Sequence, residues 1–439
     1  MTNNVITRFP PSPTGLMHIG NIRSLLFNYL YARKNEGEIV MRFEDTDRER
    51  SKQEYADLML KDLEILGLTY DHGPFYQSQK TDRYIDVIKQ LMDDGYAYEG
   101  EESNDGSGKV IRFKNPNTEV TFLDCVRGEI TIDTTDFGDF VIARSIDNPL
   151  YHLTVVVDDV DGGITHVIRG EDHITSTPRQ ILLIQALNAQ VPVYAHLPLI
   201  VGNDKKKLGK RHGAVNLAQF IEQGYLPEAV INQLALLGWN PGDEREIFTL
   251  EELVQEFTLA RIQKGAATFS YEKLDDINKQ HMARLSDDEY RLHVVSFFSE
   301  DTKEKFASDD QKLDRVIQSI LRERISKFSE VAQMDADGEF NYLFATPAVD
   351  EQLMSFKEEG FEAGKKSVAL VADKLETLSG EEWNPEQIKE SIWDWSGEIG
   401  RGSVLHPMRT ILTGMQRSPD PFTVAFVLGR EETLTRLRG

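Results

Sequence analysis

Hydrophobic positions near the N-terminus of the chain switch between the spacings that distinguish strands from helices. Short apolar runs predict strands over 5–9 and 38–43, whereas recurrence at helical intervals predicts helices over 19–34, 55–66 and 84–91. Strands that alternate with helices in this way favour a parallel sheet covered by helices.

The pattern changes over 96–149, where short apolar runs are separated by turns rich in Gly, Asn, Asp and Pro. Strands are predicted there over 110–113, 129–132 and 140–143. The alternation of strands and helices returns over 150–213. A β-rich module is therefore expected to interrupt a single α/β domain.

Nearly all apolar positions after 213 have helical spacing. No period of repeating units is found, so a solenoid is not expected. The predicted order is an α/β domain in two halves (1–95 and 150–213) around the module 96–149, followed by helical regions 214–310 and 311–439.

Composition fits a globular chain with a large core, because 40% of the 439 residues are hydrophobic and 28% are charged. The net charge of −24 argues against a general affinity for nucleic acid, so an RNA partner has to meet a local basic patch. Cys125 is the single cysteine, which excludes an internal disulfide and a cysteine-based zinc cluster. With no signal peptide and no membrane-length apolar run, a cytoplasmic protein is expected.

The segment RFPPSPTGLMHIGNIR carries the first candidate chemistry, at the junction of the first strand and the first helix. Unpaired N–H groups at a helix start can bind phosphate, His18 can donate to a phosphate oxygen, and Gly20 lets a nucleotide approach the backbone. The segment alone fits a capped helix with a packed histidine equally well.

The segment DKKKLGKRHGA is the second candidate, because Lys207, Lys210 and Arg211 surround Gly209 in a basic loop that could hold phosphates. Charge alone is better explained by a solvated basic turn.

Taken together with FEDTDRER and HVIRGEDHITSTPRQ, these segments resemble the class I aminoacyl-tRNA synthetases in their bacterial glutamyl form. HIGN and KLGKR occupy the places of the two signatures of that class. Asn21 replaces a histidine and Gly209 a serine, which puts nucleotide affinity or rate in question. The resemblance implies a Rossmann-type catalytic domain that activates glutamate with ATP and transfers it to the 3′ end of tRNA.

The resemblance also implies roles for individual residues. His18 and Lys210 are expected to be catalytic. The ATP-binding residues are expected to be His18, Gly20, Asn21, Asp172, Lys207, Lys210 and Arg211. The glutamate-binding residues are expected to be Arg8, Ser12, Glu44, Tyr151 and Arg169.

Physical chemistry supports an arginine for the substrate's side-chain carboxylate, since that group must be paired when it leaves water. Without the resemblance, Glu44, Asp45 and Asp47 would be helix-capping carboxylates, Tyr151 a strand aromatic and Arg169 a surface ion-pair partner. Mg²⁺ is expected on the pyrophosphate oxygens, with neither a protein metal site nor zinc.

For the remaining regions the resemblance implies contacts with tRNA. The module 96–149 would bind the acceptor stem, although it is shorter than usual in the family, 214–310 would contact the stem, and 311–439 would read the anticodon. A monomer that charges tRNA(Glu) is expected, and charging of tRNA(Gln) is left open.

Three alternatives remain. A glutaminyl-tRNA synthetase shares the signatures, an enzyme that glutamylates a tRNA base ends soon after the basic loop, and a non-catalytic tRNA-binding relative would explain Gly209 and Asn21 as drift.

Overall fold

A computed structural model describes residues 4–101, 108–206, 216–357 and 360–439. The chain divides into two compact units, Met1–His281 and Met282–Gly439. No helix among these residues is long and apolar enough to cross a membrane.

The first unit begins with three parallel strands and the helices that connect them. The elements are β1 (Ile6–Phe9), α1 (Ile19–Lys34), β2 (Glu38–Phe43), α2 (Gln53–Ile65), β3 (His72–Tyr76) and α3 (Thr81–Asp93). Strand β2 pairs in parallel with both neighbours. The predicted strands and helices of this region are confirmed, and β3 is an additional strand.

The inserted module contains six strands in two groups. They are β4 (Ala97–Glu101), β5 (Lys109–Phe113), β6 (Glu119–Asp124), β7 (Gly128–Asp133), β8 (Phe140–Ser145) and β9 (Asn148–Pro149). Antiparallel pairing gives the order β4-β5-β8-β9, whereas β6 and β7 pair with each other as an antiparallel hairpin that belongs to a different sheet. The β-rich insertion is confirmed, with more strands than predicted.

Helices and parallel strands follow the module. They are α4 (Tyr151–Asp161), β10 (His166–Gly170), α5 (Thr177–Ala186), β11 (Val193–Leu197) and β12 (Ile200–Val201). The interpretation of Tyr151 as a strand residue is wrong, because Tyr151 begins α4. Residues 153–159 of this helix are all buried, so no polar face is left to reveal a helical period.

The first unit ends in helices that pack on α1. They are α6 (Leu217–Glu222), α7 (Pro227–Leu236), α8 (Leu250–Glu256) and α9 (Tyr271–Met282), with the short strand β13 (Ala267–Thr268) pairing with β12. Apolar residues of α1, α7 and α8 share one core with β1 and β2. The start of α1 is therefore fixed against the sheet by a well-packed helix body.

Only helices and turns occur in the described part of the second unit. The helices are α10 (Asp287–Phe297), α11 (Glu300–Phe306), α12 (Asp310–Val316), α13 (Arg322–Arg324), α14 (Ser329–Ala336), α15 (Glu351–Met354), α16 (Phe361–Glu376), α17 (Pro385–Ile399), α18 (Arg401–Thr413), α19 (Pro421–Leu428) and α20 (Arg430–Arg438). The predicted all-helical C-terminal region is confirmed.

Candidate functional site

The centre of the main sheet lies where β1 and β10 are neighbours. The N–H of Thr165, just before β10, donates to the carbonyl of Ile6 on β1 over 3.0 Å. The side chain of Asn28 on α1 donates to the carbonyl of Ile168 on β10 over 2.9 Å. The strands on either side of this point belong to the two halves of the domain, which the inserted module separates in sequence. Such a switch point is where open α/β sheets bind ligands.

A buried network of charged side chains occupies one side of this switch point. Arg8 on β1 donates from Nε to Asp159 of α4 over 3.3 Å, and Arg42 on β2 donates from Nη1 to the same carboxylate over 2.8 Å. Arg42 also donates from Nη2 to Glu44 over 3.3 Å. The Nε of Arg42 also lies 3.5 Å from Asp158, so Arg42 is fully paired, whereas among the described residues Arg8 uses only Nε and can still donate from Nη1 and Nη2 to an acidic ligand.

The network also determines which of its acids ionises readily. Burial by itself raises the pKa of Asp159, but Arg8 and Arg42 outweigh it and hold the pKa below its usual range. The pKa of Glu44 is raised, because its burial, with the nearby Asp159 charge, outweighs the attraction of Arg42 and Arg8. Glu44 is therefore the acid of the network whose charge most needs an additional cation.

Arg42 and Asp159 were not predicted from the sequence. A signal exists for both, since Arg42 is the one cationic residue in the apolar strand EIVMRF, and Asp159 is one of two acids in the otherwise apolar run LTVVVDDV. A charge placed inside a buried element normally has a partner. The identity of that partner depends on the tertiary fold.

Arg169 at the end of β10 faces the same region and is buried rather than exposed, so its interpretation as a surface ion-pair residue is wrong. Its Nη2 donates to the Thr177 hydroxyl over 2.9 Å, and its guanidinium lies over the Tyr194 ring. Tyr151 lies close enough to Glu44 and Arg169 for their charges to act on its phenol, the pKa of which is raised mainly by burial and further by Glu44.

Ser12 belongs to the exposed turn that leads from β1 to α1. The carbonyls on either side of it are tied to the segment after β2, since Pro11 accepts from the N–H of Glu44 and Pro13 from the N–H of Lys52, both over 3.0 Å. Ser12 is thereby held beside Glu44. Of the residues predicted to bind glutamate, Arg8, Glu44, Tyr151 and Arg169 are brought together around one region, with Ser12 at its edge.

His18 is the N-cap of α1. Its Nδ1 accepts hydrogen bonds from the backbone N–H groups of Gly20 at 3.1 Å and Asn21 at 3.3 Å. A nitrogen that accepts carries no proton, so the imidazole proton resides on Nε2. A Cβ atom added to Gly20 would lie 2.8 Å from the imidazole, which explains a glycine at this position.

The predicted basic signature, with Lys207, Gly209, Lys210 and Arg211, lies outside the described residues. The chain resumes at Asn216, which forms an isolated antiparallel bridge with His18 and caps α6 with its side chain. Asn216, the first described residue after this signature, is therefore adjacent to the start of α1.

In the acidic stretch after β2, Glu44 belongs to the buried charged network, whereas Asp45 and Asp47 are paired with residues outside it. Asp45 accepts from the N–H of Ser78 over 2.8 Å and from its hydroxyl, while Asp47 pairs with Arg50. The capping interpretation is wrong for α2, the N-cap of which is Lys52 without a side-chain hydrogen bond.

Asp172, predicted near the ATP ribose, lies exposed in the turn between β10 and α5. No hydrogen bond among the described residues joins it to the His18 turn. A group of three or more His, Cys, Asp or Glu side chains able to hold a metal ion is also absent from the described ranges.

Comparison with protein families gives two matches. The catalytic domain of tRNA synthetases class I (E and Q) matches residues 4–105 and 100–276, and an anticodon binding domain matches residues 291–439.

Curated relatives match along almost their whole length. The glutamate–tRNA ligase of Methylobacillus flagellatus is 40% identical over 475 residues, which cover 99% of this chain and 98% of the relative. The glutamate–tRNA ligase 1 of Alkalilimnicola ehrlichii is 39% identical and covers 98% and 96%.

Solved structures agree with these relatives. A crystal structure of a glutamate tRNA ligase from Elizabethkingia meningosepticum in complex with its amino acid has a TM-score of 0.82 at 28% identity, covering 99% of this chain and 98% of that one. The glutamate–tRNA synthetase of Elizabethkingia anophelis gives the same score and identity.

Proposed function

The chain belongs to the class I aminoacyl-tRNA synthetases and is a glutamate–tRNA ligase, and we propose that its switch-point site forms glutamyl-adenylate from L-glutamate and ATP. The observation that carries the proposal is the convergence of Arg8, Glu44, Tyr151 and Arg169 beside the capped start of α1. The relatives favour glutamate over glutamine, and their full-length match favours an enzyme over the alternatives that end early or lack catalysis.

Glutamate presents two carboxylates and one ammonium group to this site. Arg8 is a donor for a substrate carboxylate, because among the described residues its guanidinium uses only Nε, on Asp159. Arg169 offers a second cation, and Glu44 is the acid whose raised pKa calls for an ammonium partner. Tyr151 and Ser12 supply neutral hydrogen-bonding groups at the rim.

Activation joins a glutamate carboxylate oxygen to the α-phosphorus of ATP while pyrophosphate leaves. The attacking group is ionised at neutral pH, so no general base is required. Catalysis then depends on positioning and on stabilising charge. The Nε2–H of His18 and the N-terminal N–H groups of α1, including those of Gly20 and Asn21, are the donors proposed for phosphate, with Asp172 near the ribose.

Lys210 is proposed to neutralise charge on the phosphates, with Lys207 and Arg211 as further cations. The bridge between His18 and Asn216 supports this role, because Asn216 follows Arg211 by five positions in the sequence and lies beside the proposed nucleotide donors. Replacement of the family's serine by Gly209 removes a hydroxyl but no charge.

Magnesium is proposed to enter as part of the ATP complex. Mg²⁺ keeps several waters and prefers phosphate and carboxylate oxygens. The described residues contain no cluster of three acidic or histidine ligands, which fits an ion held mainly by ATP phosphates. The single Cys125 and the short module are the reasons for predicting no zinc, which stays a prediction.

Transfer requires a tRNA that spans several regions. We propose that the module 96–149 meets the acceptor end, that 214–310 contacts the stem, and that 311–439 reads the anticodon. The match to an anticodon binding domain over 291–439 supports the last of these assignments. A terminal 2′-hydroxyl would attack the adenylate and release AMP. The enzyme is proposed to act as a monomer in the cytoplasm, where tRNA is charged.

Exchange of labelled pyrophosphate into ATP, in the presence of tRNA(Glu), tests the activation step. The expected result is exchange that depends on glutamate and is not supported by glutamine. Lys210→Ala should reduce it severely without changing the melting temperature. Exchange with glutamine in place of glutamate would contradict the proposed substrate.

A further inference from the structure

The turn between β6 and β7 connects the inserted module to the edge of the main sheet. Strand β6 ends at Asp124, which pairs in register with Tyr194 of β11. The carboxylate of Asp124 accepts from the backbone N–H of His196 over 3.0 Å, and Arg127 in the same turn pairs with Glu171. The module is therefore fastened to β11 beside the end of β10, where Arg169 lies.

Three side chains form a buried chain of hydrogen bonds from this turn. His196 Nδ1 lies 2.7 Å from Asp124 Oδ2, and both side chains are fully buried. Arg169 donates from Nε to His196 Nε2 over 3.2 Å. An arginine nitrogen can only donate, so Nε2 of His196 must accept, and the imidazole proton resides on Nδ1 facing Asp124.

The same contacts fix the guanidinium of Arg169 in one orientation. Its Nη2 is held by Thr177, and its plane is supported by Tyr194, which stacks on His196 with an interplanar angle of 7°. Its Nη1 makes no hydrogen bond with any described residue. The guanidinium of Arg169 is thus fixed through Nε, Nη2 and its plane, and Nη1 can donate to a ligand.

We propose that Asp124 and His196 are positioning residues for glutamate. Asp124 fixes the tautomer of His196, and His196 presents an acceptor that orients Arg169 for the amino acid. The inference rests on the proposed role of Arg169 in binding glutamate, and it extends that site to a residue of the inserted module.

Asp124→Asn tests the proposal with almost no change in shape. The amide oxygen can still accept from the N–H groups of Val126, Arg127 and His196, which lie 2.9, 2.8 and 3.3 Å from Asp124 Oδ1. The amide NH₂ would face His196 Nδ1 and move the imidazole proton to Nε2, opposing the Arg169 donor. The KM for glutamate should rise about tenfold, with the KM for ATP and the melting temperature little changed.

Two further variants make the test specific. His196→Asn keeps a donor toward Asp124 and removes the acceptor for Arg169, so it should raise the KM for glutamate to a similar degree. His166→Asn is the matched control on β10, because His166 contacts Tyr31 and Thr165 and should leave the KM for glutamate unchanged.

A double-mutant cycle separates positioning from general damage. Arg169→Lys lacks an Nε–H donor at this position, so adding Asp124→Asn to it should have no further effect on the KM for glutamate. The proposal would be overturned if Asp124→Asn raised the KM for glutamate equally in the wild type and in Arg169→Lys, or if it raised the KM for ATP in parallel. An Arg169→Lys enzyme with unchanged glutamate KM would instead refute the role of Arg169, and an inactive wild type would refute the proposed function.

Discussion

At the scale of single residues, the proposed amino-acid site contains buried arginines and carboxylates that are not paired one to one. Asp159 accepts from both Arg8 and Arg42, and Arg42 also contacts Glu44. An additional carboxylate opposite Arg8 and an additional ammonium opposite Glu44 would complete the pairing. We propose that glutamate supplies both groups, so that the buried charges are paired when the substrate is bound.

Replacing Arg8 with lysine should weaken glutamate binding while the fold is kept. Lysine retains the charge next to Asp159 but cannot form two parallel hydrogen bonds with a carboxylate. We expect the KM for glutamate to rise about 10- to 100-fold, with the KM for ATP nearly unchanged. Arg33→Lys is the matched control, since Arg33 pairs with Asp71 at the far end of α1. Equal glutamate KM values in the two variants would refute the role of Arg8.

The raised pKa of Glu44 predicts how glutamate binding depends on pH. Burial makes this carboxylate take up a proton at a higher pH than an exposed glutamate does, and the neutral form does not attract an ammonium group. The kcat/KM for glutamate should therefore be highest above that pKa and fall as the pH is lowered through it. In Glu44→Gln the value should be low and should lack this acid limb. An unchanged pH profile in the variant would count against the assignment.

At the scale of elements, the start of α1 combines two functions in one histidine. Nδ1 of His18 caps the helix, and Nε2 carries the proton that we propose is donated to phosphate. The body of the helix is buried against the sheet, so the donor is held in a fixed place. Gly20 is required because a side chain there would displace the imidazole.

His18→Asn should separate capping from catalysis. Asparagine is a good N-cap and can accept the same backbone N–H groups, but it has no donor at the position of Nε2. Adenylate formation should fall about 100-fold, with a melting temperature close to that of the wild type. His18→Ala should lose both properties. Full activity of His18→Asn would show that the histidine is only a cap.

Elements differed in how far they could be predicted from the sequence. Helix α1 was predicted from the helical spacing of its apolar residues, and strand β2 from a short apolar run with polar residues on either side. Helix α4 was not, since residues 153–159 are buried on all sides and the period is lost. Resemblance supplied the site residues, but the pairing of Arg8 with Asp159 depends on the fold, because 151 positions separate them in the sequence.

At the scale of the whole molecule, an acidic protein has to bind a polyanion. The net charge is −24, so affinity for tRNA must come from local groups of cations and stacking surfaces rather than from the overall field. Trp393 in the second unit is a candidate of this kind, because its ring lies beside Lys389 and Arg401. Its side chain is half-buried, and its ring lies 6.2 Å from that of Phe422.

Salt should therefore act more strongly on tRNA than on the small substrates. Raising salt from about 50 to about 200 mM should weaken tRNA(Glu) binding about tenfold or more, because released counterions drive the association. The KM for glutamate should change much less, since its partners are buried. Binding measured by filter retention and steady-state kinetics in the same buffers gives the comparison. A tRNA affinity insensitive to salt would contradict a mainly phosphate-directed contact.

The most direct test of the proposed function is aminoacylation with the purified enzyme, ATP and Mg²⁺, using labelled glutamate or glutamine and either tRNA(Glu) or tRNA(Gln). We expect glutamate on tRNA(Glu) and no glutamine on either tRNA, while glutamate on tRNA(Gln) would only define the range of tRNAs that the enzyme charges. Attachment of glutamine, or no charging of a tRNA(Glu) preparation that another synthetase charges fully, would contradict the proposed function.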